Sequence, residues 1–162
     1  MTEKQKIVHS EYIVRFSDCD PFNHLNNSKY IDYFLNARED QLMQFYNFNV
    51  YEHAMKAGCG WVVGQHEIAY LKPVNTMETV LIESLVLRWA EKDILVEFHM
   101  WNKEKTKLKA IMWTKFFYFN FATQKSELHT EELTKQFKAL ECLQFETSSF
   151  ENRKIQILKT GE

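Results

Sequence analysis

Residues 15–38 read Arg15-Phe-Ser-Asp18-Cys-Asp20-Pro-Phe-Asn-His24-Leu-Asn26-Asn27-Ser-Lys-Tyr30-Ile-Asp-Tyr-Phe-Leu-Asn-Ala-Arg38, and the fold reading turns on them. Three kinds of local structure follow one another. Alternating residues before Phe16 describe a strand, with Tyr12, Val14 and Phe16 on one side and Ile13 and Arg15 on the other. Pro21 has no N–H to give a ladder and ends it. A polar loop carries Asp18, Asp20, Asn23, His24, Asn26 and Asn27. Either Asn26 or Asn27 suits the N-cap of a helix running to about Tyr46, since its side-chain oxygen can accept from the first-turn amides. Apolar residues cover most sides of that helix, which predicts burial on most of its surface. A carboxylate, an imidazole and a helix N-terminus thus fall within one short segment.

Upstream, residues 7–16 form the expected first strand. Downstream, residues 47–60 read as a connector with a short helical turn around Tyr51–Ala57. The apolar period then switches to two. Strands are expected at 61–71, 79–88, 94–101 and 109–121, with Pro73 closing the first of these. The aromatics of 109–121 fall on both sides, so both of its faces should be covered. Thr130 caps a C-terminal helix to about Cys142, with Glu131 and Glu132 well placed in its first turn. The expected division is a domain over 1–146 and a polar, loosely held tail over 147–162. One long helix followed by strands on short connections argues an α+β fold with a mainly antiparallel sheet of about five strands.

Composition closes off several functions. At 162 residues, with 45% hydrophobic side chains, the chain can bury one proper core. Its net charge of −2 without a basic block offers no footprint for nucleic acid. Four glycines cannot build a dinucleotide or P-loop cradle. Cys19, Cys59 and Cys142 are too scattered for a zinc clamp or a disulfide framework, and His9, His53, His66, His99 and His129 share no ligand spacing, so no metal is expected. No apolar run resembles a signal peptide or a membrane span, which points to the cytoplasm.

The block Arg15, Asp18, Asp20, His24, Asn26, Asn27 and Tyr30 resembles the signature of hotdog-fold thioesterases, most closely the 4-hydroxybenzoyl-CoA thioesterase-like acyl-CoA thioesterases. It fixes residue types and spacing over sixteen positions. The resemblance implies a single hotdog domain, a curved sheet wrapped around residues 27–46, assembled as a homodimer or a dimer of dimers with active sites between subunits. It implies hydrolysis of a fatty or aromatic acyl-CoA without any cofactor. Asp20 would be base or nucleophile, the backbone N–H of Asn27 the oxyanion donor, and His24 either a catalytic contact or a brace for the loop. Asn26, Tyr30, Gln65 and His66 would meet the substrate. Independently of the resemblance, Asp18 is expected to order the loop, its charge suiting a pair with Arg15. The chain departs from the carrier-protein branch at Phe22, where that branch favours Asn, and Asn23 is offset by one. An acyl-carrier-protein thioesterase and a non-catalytic acyl-binding module remain the alternative readings.

Overall fold

The computed structural model describes residues 4–142 and 149–160. Its elements run β1 (Val8–Ile13), α1 (Tyr30–Tyr46), α2 (Val50–Ala57), β2 (Cys59–Tyr70), β3 (Thr79–Trp89), β4 (Asp93–Asn102), β5 (Leu108–Asn120), the short β6 (Lys125–Ser126), α3 (Glu131–Leu140) and α4 (Phe150–Thr160). The sheet has the order β1-β3-β4-β5-β2, with β6 beside β5, and every pairing is antiparallel. It curls around α1, so the fold is the expected α+β hotdog domain.

Strand alternation sorts side chains between two cores. Val80, Ile82, Val96, Phe98, Met100, Ala110 and Met112 face α1, where the Phe34 ring lies 5.4 Å from Phe98. Leu85, Leu87, Leu95 and Trp113 face the other way and form a second cluster with Cys142.

Helix α1 buries one stripe rather than most of its surface: Tyr30, Phe34, Ala37, Arg38 and Gln41. Asp32, Asn36, Asp40 and Gln44 lie in solvent, and the other apolar residues only flank the stripe. Two of the buried five are polar and need partners. Gln41 donates to the Ile82 carbonyl and to Ser10 Oγ, both at 2.9 Å, and Arg38 donates to Ser84 Oγ at 3.0 Å. Asn47, in the left-handed region at φ 50°, ends the helix.

Two local expectations change. The first strand stops at Ile13, and Phe16 enters a 3-10 turn (Phe16–Asp18) with 76% of its surface exposed. The segment read as a loosely held polar tail contains α4, which lies on the outer sheet face through Phe150, Arg153 and Ile157. The Phe150 ring meets Trp113 edge-on at 5.5 Å. Arg153 reaches Glu97, whose side chain is fully buried and bonded also by His99 and Trp113.

Candidate active site

The loop between β1 and α1 is built by its own polar side chains. Asp20 Oδ1 accepts from the amides of Phe22 at 2.9 Å and His24 at 3.1 Å, and the Asp20 amide donates to the His24 carbonyl at 2.8 Å. These bonds close a tight turn in which Asn23 takes φ 62°, a conformation asparagine tolerates better than most residues. Phe22 is left exposed at its tip. The loop is strapped to residues 74–76: the Leu25 amide donates to the Val74 carbonyl, and the Thr76 amide to that of Asn23.

Asn26 is the cap. Its Oδ1 accepts from the Ser28 amide at 3.0 Å and from Ser28 Oγ at 2.9 Å, and it opens a 3-10 turn (Asn27–Lys29) that runs straight into α1. The Asn27 amide, first in this turn, donates to no acceptor among the described residues. The Asn27 carbonyl is held by the Tyr70 hydroxyl at 3.0 Å. Tyr70 also stacks edge-on against the buried Tyr30, with centroids 5.0 Å apart. Burial, then the neighbouring Tyr70, Glu78 and Asp20, push the Tyr30 hydroxyl up to about 12, so it stays protonated and can only act as a neutral hydroxyl near pH 7.

Asp20 is half-buried, and its second oxygen, Oδ2, accepts no hydrogen bond among the described residues. One oxygen therefore holds the turn, and the other takes no part in it. His24 takes part in the loop through its backbone, including a bridge to Asn75, and its ring makes no hydrogen bond among the described residues. Asp18 does not pair with Arg15. Its Oδ2 accepts from the Tyr33 hydroxyl at 2.8 Å, and the same hydroxyl accepts from the Arg15 amide at 3.2 Å. Tyr33 thus bridges the strand end to the loop from one turn inside the helix.

Gln65 and His66 lie apart from this loop, on β2. A bulge at Val63/Gln65 leaves Gly64 without a partner residue. Beyond it, His66 turns toward the helix side, its Nδ1 2.9 Å from the buried Thr114 hydroxyl, while Gln65 and Glu67 are exposed and bonded to each other at 3.4 Å. Desolvation lowers the His66 pKa, favouring the neutral ring. The structure thus joins Asp20, His24, Asn26, Asn27 and Tyr30 in one loop–helix unit. Within the single chain, Gln65 and His66 belong to an edge strand. Tyr33 and Tyr70 are additions. Tyr33 could be found from its place one helical turn after Tyr30, whereas Tyr70 is 43 residues from Asn27 and has no linear signal. Among the described residues, no three His, Cys, Asp or Glu side chains converge as metal ligands would, and no helix is long and apolar enough to cross a membrane.

A family model, the thioesterase-like superfamily, matches residues 14–137. The chain belongs to that superfamily. This membership makes it a thioester hydrolase, and the match begins one residue before the Arg15–Tyr30 block. Solved structures agree in fold. A DHNA-CoA thioesterase from Staphylococcus aureus is 17% identical with a TM-score of 0.73, covering 95% of this chain and 93% of its own. The YbaW probable thioesterase from Escherichia coli is 20% identical with a TM-score of 0.71, covering 83% and 98%. The protein SAV2348 from Staphylococcus aureus, solved in complex with CoA, is 13% identical with a TM-score of 0.76, covering 90% and 92%. No functionally curated protein matches the sequence.

Proposed function

We propose that this superfamily member hydrolyses acyl-CoA thioesters, with Asp20 as the reacting carboxylate and the Asn27 amide as the oxyanion donor. The observation that carries the reading is the split role of Asp20. Its Oδ1 is fixed by two loop amides, its Oδ2 accepts no bond among the described residues, and seven residues later the Asn27 amide, which donates to none of them, begins the turn into the helix. A carboxylate held in this way loses little freedom on meeting substrate. Either it takes a proton from water as the oxygen attacks the thioester carbonyl, or it attacks directly and water later cleaves the anhydride. In both routes charge gathers on the carbonyl oxygen, where a free first-turn amide stabilises it. The C–S bond then breaks, and CoA leaves as its thiol after taking up a proton. Tyr70 and Asn26 keep the Asn27 peptide in place.

The assembly we infer is a homodimer joined along β2. This twelve-residue edge strand exposes Val62 and Val63, whereas α4 occupies the outer sheet face. Pairing there would bring Gln65 and the neutral His66 of each copy toward its neighbour's substrate. The three free cysteines suit a reducing compartment, the cytoplasm.

The test is free-thiol release from a panel of short, long and aromatic acyl-CoAs and from acyl-carrier-protein thioesters, with Asp20→Ala alongside. Turnover of one acyl-CoA class, lost in a folded Asp20→Ala, supports the proposal. Turnover of carrier-protein thioesters alone transfers the substrate to that carrier. Undiminished turnover in the variant removes Asp20 from the chemistry.

A further inference from the structure

A cavity of about 330 Å³ lies between the second half of α1, α2, α3 and the inner faces of β2, β4 and β5. Leu42, Phe48, Trp61, Val96, Phe116 and Phe137 make much of its wall. None of Asp18, Asp20, His24, Asn26, Asn27, Tyr30, Gln65 or His66 lines it. Arg38 does, although only 7% of that residue is exposed.

The surroundings of Arg38 are almost wholly neutral. Its Nη1 donates to Ser84 Oγ, which in turn donates to Gln41, and the Tyr46 hydroxyl also interacts with it. No carboxylate among the described residues pairs with it. Glu39 also lines the cavity, but it accepts from the hydroxyl of the exposed Tyr51 at 3.0 Å. A guanidinium offers five N–H donors and no acceptor, and burying one without a counter-ion is costly. Met or Leu would fill an apolar wall without that cost. Beyond its bonds to neutral groups, a buried arginine at an apolar cavity is suited to an anionic ligand, and its planar fork fits a carboxylate with two parallel bonds.

We propose that this cavity binds an apolar carboxylate, its carboxylate group on Arg38 and its hydrocarbon body against Phe48, Trp61 and Phe116. The ligand chemistry has two sources, a free aliphatic acid or the far end of an ω-carboxyacyl group. Only the second rests on the thioesterase reading.

Binding of decanoate and of 1-decanol to the full chain is measured by calorimetry, for wild type, Arg38→Met and Arg38→Lys. Charge-assisted bonds to a buried partner predict that Arg38→Met weakens decanoate at least ~10-fold, leaves decanol within a factor of about two, and that Arg38→Lys recovers part of the loss. The melting temperature of Arg38→Met should equal or exceed that of wild type, because an uncompensated buried charge has gone. A second arm compares hydrolysis of decanoyl-CoA with that of the CoA half-thioester of decanedioic acid. An Arg38-dependent preference for the diacid derivative assigns the ω-carboxyacyl source; decanoate binding without that preference assigns the free acid. Decanoate that fails to bind, or binds equally well to Arg38→Met, together with no Arg38-dependent diacid preference, overturns the proposal. Because decanoate binding requires no turnover, that arm stands even if the thioesterase reading fails.

Discussion

Replacing Arg153 with methionine tests the buried ion pair among the contacts that hold α4 to the sheet. Glu97 has no exposed surface, and Arg153 reaches it with Nε at 3.1 and 2.9 Å from its two oxygens and with Nη2 at 2.8 Å from Oε1. The remaining donors are His99 Nε2 at 2.8 Å and Trp113 Nε1 at 2.8 Å. Methionine fills similar space but leaves a buried carboxylate without its main counter-charge, a change that costs about 3–5 kcal/mol. For a chain of this length the loss corresponds to a fall in Tm of about 6–20 °C. Urea titration followed by tryptophan fluorescence reads the loss, and hydrogen exchange of the α4 amides shows whether it opens that helix first. The double variant Glu97→Leu with Arg153→Met should recover most of the stability, because an apolar pair of similar volume replaces the ion pair at little net cost. A single variant within about 1 kcal/mol of wild type would refute the claim that this pair fastens α4.

The same cluster sets a pH window. Burial acts to raise the carboxyls of Glu83 and Glu97, but bonds from His99, with Lys105 on Glu83 and Arg153 on Glu97, win and hold both down to about 2. Their contribution is complete above the ordinary value of 4.5 and drains away as pH falls toward 2. Burial acts to lower His99, but its bonds to the two carboxylates win and raise it above 6.5. Its share is complete below 6.5 and is lost as pH rises through the raised value. Urea midpoints across the pH range should therefore peak between about 4.5 and 6.5, and a flat profile would exclude the cluster as a source of stability. Gly64→Ala should cost about 1–3 kcal/mol, since an added Cβ would come within 2.2 Å of the Phe117 ring and force it aside; urea denaturation reads that loss. Tyr70→Phe should lower kcat more than it raises KM, because it frees the carbonyl of the peptide that follows the proposed oxyanion donor; steady-state kinetics separates the two.

The parts legible in the sequence are those made by near neighbours. Asp20, Asn26 and Thr130 act on amides two to four residues away, so spacing alone points to the loop turn and the caps. Strand alternation likewise gives His66 and Gln65 opposite directions, and the bulge at Gly64 leaves that intact. Longer-range pairings were hidden. Arg153 looks like one charge in a polar tail until β4 places Glu97 opposite it, 56 residues away. The apolar residues around α1 suggested burial on most sides because Tyr33, Leu35 and Tyr46 look like core in one dimension, though each keeps part of its surface exposed. Asp18 and Arg15 looked like a pair by charge, but Tyr33 reaches the carboxylate instead.

The central claim is that the open oxygen of Asp20 does chemistry while the other only holds the turn, and kcat of Asp20→Asn separates the two. Asparagine keeps a side-chain oxygen for the Phe22 and His24 amides but cannot take a proton or attack a carbonyl. With the best acyl-CoA of the panel, the variant should melt within about 2 °C of wild type, corresponding to a stability change below about 1 kcal/mol, and lose at least ~100-fold in kcat. A variant that melts with wild type and turns over at the wild-type rate would contradict the account, leaving Asp20 as a loop cap alone.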